Sequence, residues 1–212
     1  MDKQQAQLEE LKEIRSLMEQ SSRFLALSGI AGVIVGAIAI AGIIVAYVQL
    51  GLFNNIQPYY EAINVTIDEG NKQNALFLLS DSIVVLVTSL LIGVIFSVRK
   101  AKKQKMAAWD ATAKRMFINM AIPLVAGGVY AIILGYHGNI SLIAPSMLIF
   151  YGMALLNASR YTINDIRYLG IIEIAIGLMA SVFVEYGLLL WGLGFGIFHI
   201  IYGLSIYIKY ER

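Results

Sequence analysis

Three acid or histidine side chains lie well inside long apolar stretches of this 212-residue chain: Glu173, His199 and Asp81. An ionisable group in such a stretch is costly, so it is paired, wet, or kept for function. Glu173 shares a helical face with Gly170, Gly177 and Ala180. His199 falls with Gly192, Gly196 and Gly203 at a spacing of i, i+4, i+7 and i+11. Lines of glycine let helix backbones approach closely, so both groups are expected to turn into a bundle and away from lipid. The short turn Glu185-Tyr186-Gly187 makes their helices antiparallel neighbours. Glu173 lies about six residues from one end of its stretch and His199 about nine from the matching end of the next, a depth difference of ~5 Å at ~1.5 Å per residue. The two are therefore expected to interact or to share water. A carboxylate beside an imidazole serves either of two purposes. It is a structural bond that fixes one helix register, or it is a proton- or ligand-responsive site, because imidazole is the side chain whose ordinary titration falls between about pH 5 and 8. In the second case the titration belongs to the pair.

Other polar groups are scattered. Asp81 sits between Ser80 and Ser82, one to two turns from the end of its stretch, with Thr88 on nearly the same face. It reads as an interfacial acid or as the outer entry of a polar path. Asn119 and Tyr130 fall on one face of the third stretch, with Ala126 and His137. A stepped route through Asp81, Tyr130, His199 and Glu173 is the widest reading of these residues. The absence of cysteine excludes disulfides, thiol nucleophiles and thiolate metal sites. No lysine lies well inside a stretch to carry a Schiff base. His137 and His199 stand too far apart for a haem or for a three-ligand zinc site. No serine-hydrolase elbow, metalloprotease or phosphate-loop motif is present. No catalytic, cofactor-binding or metal-ligating residue is assigned, and the chain reads as non-enzymatic.

The elements that must position these groups are membrane helices. Hydrophobic residues make up 58% of the chain and charged residues 14%, against roughly 45–50% and 25% in soluble domains. The mean hydropathy is +0.72. Six apolar stretches, at about residues 24–53, 74–98, 116–136, 140–157, 166–185 and 188–208, predict an all-α bundle of six transmembrane helices over residues 24–212. Fifteen of the sixteen Lys and Arg fall in alternate connecting segments and termini, against one on the other side. That bias places both termini in the cytoplasm of a multi-pass protein of the cell inner (plasma) membrane. Pro123 is expected to kink the third helix. Residues 54–73 form the longest connection, open to a lid or ligand-loop role.

Residues 1–23 precede the first span. Leu8, Leu11, Ile14, Leu17 and Met18 form an apolar stripe at helical spacing, flanked by mixed charges. This predicts a cytoplasmic amphipathic helix that lies on its own protein, on a second copy or on a partner. The basic run at 99–115 has a single aromatic residue and sits between two spans. It is a topology determinant, not a nucleic-acid surface.

A weak repeat relates the last four spans. Gly128 and Gly138 match Gly177 and Gly187 in spacing, and Tyr151-Gly152 matches Tyr202-Gly203. Tandem helical hairpins follow. The charged leader, the entry Glu19-Gln20-Ser21-Ser22-Arg23-Phe24 and the glycine-punctuated hairpins resemble small bacterial six-span inner-membrane proteins of uncharacterised function. The hairpin architecture is also similar, more loosely, to six-span acid-resistance membrane proteins. These resemblances imply a bundle and no particular site residues. Two functions are expected: a sensing, regulatory or stress-related membrane protein whose buried polar site reports to a partner or second copy, or a small proton- or ion-coupled transporter or channel working through Glu173 and His199.

Overall fold

The computed structural model describes Gln5 and residues 27–53, 69–104 and 109–212. The predicted leader helix over 1–23, Gln5 apart, and most of the long loop lie outside the described residues. The described chain is all-α, with six helices. α1 is Gly29–Gln49, α2 Glu69–Lys103, α3 Ala111–Tyr136, α4 Ile143–Ala158 and α5 Ile166–Val182. α6 has three stretches: α-helix at Gly187–Gly192, π-helix at Leu193–Phe198, and α-helix again at His199–Tyr210.

Five helical passages are long and apolar enough to cross a membrane: Gly29–Gln49, Gln73–Lys103, Ala111–Tyr136, Ile140–Ala158 and Val184–Tyr210. α5, with 17 residues, is ~25 Å long at ~1.5 Å per residue, against a hydrocarbon core of ~30 Å. α2 continues beyond the apolar stretch at both ends, because residues such as Lys and Ala remain good helix formers outside it. α3 starts at Asp110, whose side chain accepts a hydrogen bond from the Ala113 N–H at 2.7 Å, and it runs through Pro123. The turn after α3 depends on Gly138, whose φ of +75° favours glycine.

Glycine decides which helices touch. α1 lies against α6, and an added Cβ at Gly29 or Gly36 would come within 2.5 Å of Gly203 O or 2.6 Å of Gly196 O. α4 lies against α5 in the same way, with a Cβ at Gly152 meeting Gly170 O at 2.5 Å. These backbone-to-backbone seams are the close packing that small residues permit between membrane helices. α3 packs on α4 through Gly127, which receives the Phe150 ring, and α2 packs on α1. α5 meets α6 near their turn and at Glu173, but its largest interface is with α4; the largest of α6 is with α1.

One end of the bundle is fastened by charge. The Gly29 N–H donates to Glu211 Oε1 at 2.6 Å, and Lys100 Nζ donates to Leu27 O at 2.6 Å and to Glu211 Oε1 at 3.0 Å. Ser28 makes no side-chain cap, so Glu211 supplies the anion that a helix N-terminus favours. Nearby on α6, Lys209 and Tyr210 both bond Asp165 Oδ2, at 2.7 and 3.2 Å, in the connection between α4 and α5.

Candidate functional site

Glu173 is fully buried on α5, and Gly170, Gly177 and Ala180 of its face are buried with it. Its Oε1 lies 3.3 Å from Nδ1 of His199, itself 5% exposed. The imidazole is held at both nitrogens. Nδ1 is 3.1 Å from Gly194 O, and Nε2 is 2.8 Å from the Tyr151 hydroxyl on α4. A carbonyl only accepts, so Nδ1 carries a proton. In the neutral ring Nε2 then accepts from Tyr151; in the imidazolium it donates to the same oxygen. Phe195 lies against both rings, 4.9 Å from that of Tyr151 and 5.9 Å from that of His199, and Trp191 continues the aromatic wall.

The site depends on the π stretch. In a regular α-helix, residues five apart end ~140° around the axis from each other, given 3.6 residues per turn. The π-helix closes i to i+5, which stacks His199 over Gly194 and allows the side-chain-to-carbonyl bond. It also corrects the expected face of α6. Gly192, Gly196 and Gly203 meet α1, whereas the His199 side chain turns toward α4 and α5, and Gly194 meets Glu173. A Cβ at Gly194 would lie 2.5 Å from Glu173 Oε2 and 2.6 Å from Leu148 Cδ2.

Neither carboxylate oxygen of Glu173 has a hydrogen-bond partner among the described residues. The Nδ1 proton is aimed at Gly194 O, and the carboxylate lies to one side. A buried carboxylate with no donor is costly when ionised, unless a counter-charge stands beside it. Two overall-neutral arrangements meet that condition: a carboxylic acid beside a neutral imidazole, and a carboxylate beside an imidazolium. Both contain the same number of protons, so they differ only in where one proton sits. Adding or removing a proton leaves a net charge on a buried pair, which the surrounding helices must then accommodate.

The structure brings together Glu173 and His199 of the residues singled out from sequence, and it adds Tyr151. The stepped route is not assembled. Asp81 faces Gly42 of α1, across α1 from the α6 seam. Tyr130 is 44% exposed, with its ring 5.8 Å from that of Phe150. Asn119 bonds Arg115 O and the Tyr161 hydroxyl. An open apolar groove of about 650 Å³, lined by residues such as Ile40, Ile43, Met179, Phe183, Leu193 and Ile197, runs along α1, α5 and α6; neither Glu173 nor His199 lines it. Tyr151 carried one sequence signal, the Tyr-Gly pair it shares with Tyr202-Gly203, which marks a repeat and gives the side chain no direction.

No protein-family model matches the chain, and no curated protein or solved structure does.

Proposed function

We propose that this is a non-enzymatic, six-span protein of the cell inner membrane, with both termini cytoplasmic, that uses Glu173, His199 and Tyr151 as a buried proton-responsive element with a regulatory role. One observation carries the reading: a fully buried carboxylate, with neither oxygen hydrogen-bonded among the described residues, stands 3.3 Å from an imidazole. A structural pair would be expected to satisfy its acceptors; this one leaves them open to a proton. The burial of both groups favours a conformational readout over a conducting pathway. α6 carries His199 and ends in the Lys209 and Glu211 contacts, so a shift of α6 reaches α1, α2 and the connection between α4 and α5. Leu27, held by Lys100, opens the described part of the bundle. Residues 1–23 are the surface proposed for a partner or a second copy.

Hydrogen–deuterium exchange of the whole protein in nanodiscs tests this. The expected result is a pH-dependent change in protection at residues 199–212 and 27–36 that is lost in Glu173→Gln. Equal protection at all pH values in the wild type would overturn the reading. The second reading, a small proton- or ion-coupled transporter or channel, draws on the closeness of Glu173, His199 and Tyr151, three groups able to hold a proton within one site. It predicts proton flux into liposomes enclosing a pH-sensitive dye, lost in both Glu173→Gln and His199→Gln. Wild-type flux no greater than that of empty liposomes would remove proton conduction.

A further inference from the structure

α2 joins the bundle mainly along α1, with Ala101 near one end buried against Ala113, Met116 and Ala158. Its remaining faces expose Leu76, Leu79, Ile83, Leu86, Leu90 and Val94. At the seam Val85 is buried against Gly42, where an added Cβ would meet Val85 Cγ2 at 2.6 Å. One turn earlier Asp81 lays its carboxylate over the same glycine. The same Cβ would lie 3.4 Å from Oδ2 and 3.8 Å from Oδ1, in ordinary contact.

Asp81 is partly exposed, and among the described residues nothing at the seam pairs with an ionised carboxylate. α1 has no charged residue, and Tyr47 is its only titratable one. The hydroxyls of Ser80 and Thr88 on α2 are committed to Phe77 O and Val84 O. One turn toward the nearer end the surroundings are apolar: Ala46, Leu188 and, packed on them, Leu52, Phe77, Leu78 and Ile140, with Tyr47 the titratable member. Among the described residues Asp81 has neither a hydrogen bond nor an ion pair. Backbone donors in the middle of α1 are used within the helix. A carboxylic acid fits this socket, and a carboxylate does not.

We propose that Asp81 over Gly42 is a second proton-binding site, in which the protonated acid docks α2 on α1 and loss of the proton separates them. The inference does not rest on the Glu173–His199 reading. Gly42 is seven residues from Gln49, ~10 Å from that end of α1. The Glu211 and Lys100 fastening lies at the other end, so this joint can open while that end holds.

The test uses the full chain, which has no native cysteine. Nitroxide labels at Gln49→Cys and Gln73→Cys, both exposed, report the spacing of the α1 and α2 ends by pulsed EPR in nanodiscs, from mildly acidic to alkaline buffer. The wild type is expected to give one short distance in acid and a second, longer population that grows as pH rises. Asp81→Asn and Asp81→Leu are each expected to keep the short distance throughout, and the second stands in if the first does not fold. Glu173→Gln is expected to retain the wild-type response. A wild-type distribution that ignores pH, a longer population that persists without Asp81, or a response lost in Glu173→Gln would each overturn the proposal.

Discussion

The two buried-facing acids of this protein are solved differently. Glu173 stands at a three-helix junction, fully buried, with a histidine at 3.3 Å that is itself anchored by Gly194 and Tyr151. Asp81 stands at a two-helix seam, partly exposed, over Gly42 of α1 and one turn from Val85 of its own helix, with no ion-pair partner among the described residues. A charge in the first place can be balanced by moving one proton across to the imidazole. A charge in the second can be balanced only by leaving. The contrast teaches that depth alone does not decide what an intramembrane acid does. The number of neighbouring helices, and what they carry, sets whether a charge there finds a counter-group in place or stands alone.

The largest expected effect breaks the first arrangement. His199→Leu leaves Glu173 without its counter-group, and removing one member of a buried pair typically costs about 3–5 kcal/mol. Replacing both residues, as Glu173→Leu with His199→Leu, is expected to cost less than either single change. Unfolding in detergent, arranged as a double-mutant cycle, measures this. Two single losses that simply add would show that the groups are not coupled.

Gly194 gives the next effect. Gly194→Ala forces a methyl to within 2.5 Å of Glu173 Oε2, and overpacking of this kind costs about 1–3 kcal/mol. Gly93→Ala and Gly128→Ala, which meet nothing within 4 Å, are the controls and are expected to be neutral or slightly stabilising. Equal melting temperatures for Gly194→Ala and the controls would mean that the carboxylate is free to move off the π stretch. Tyr151→Phe follows, at about 1–3 kcal/mol, because it leaves Nε2 buried without its partner. It is also expected to alter the pH dependence of exchange protection along α6, which a loss of packing alone would not do.

How far the sequence revealed these sites depends on which signals were local. The apolar stretches are a property of composition, and the described helices fall on them, with five passages long and apolar enough to cross a membrane against the six expected. The approach of Glu173 to His199 was legible because equal depth and a short turn are enough to bring them together. The direction of His199 was not, because the spacing argument assumed 3.6 residues per turn throughout α6. Gly192, Gly194 and Gly196 are the residues that pattern should have flagged: a glycine at every second position suits neither helical face and marks a stretch able to leave the α geometry. The role of Tyr151 stayed hidden because its match with Tyr202 points to a repeat and not to a face of α4. Gly42 under Asp81 stayed hidden because the register of α2 on α1 is set across the long loop, where no local pattern constrains it.

The smallest expected effect sharpens the second arrangement. If the docked form of Asp81 is the neutral acid, Asp81→Asn imitates that form and costs little in acid, within about 1 kcal/mol. The sign then follows from the proton. In alkaline buffer the wild type must either keep a carboxylate in an apolar seam or undock α2, whereas the asparagine need do neither. The variant should therefore be the more stable protein at high pH, and the two should converge as pH falls. Gly42→Ala disturbs the same seam without removing the acid, so it should lower stability at every pH and leave the slope with pH in place. An Asp81→Asn curve parallel to the wild type would mean that Asp81 holds the same charge folded and unfolded. The seam would then be an apolar contact that happens to contain an acid, and Glu173 would be the bundle's one proton-responsive carboxylate.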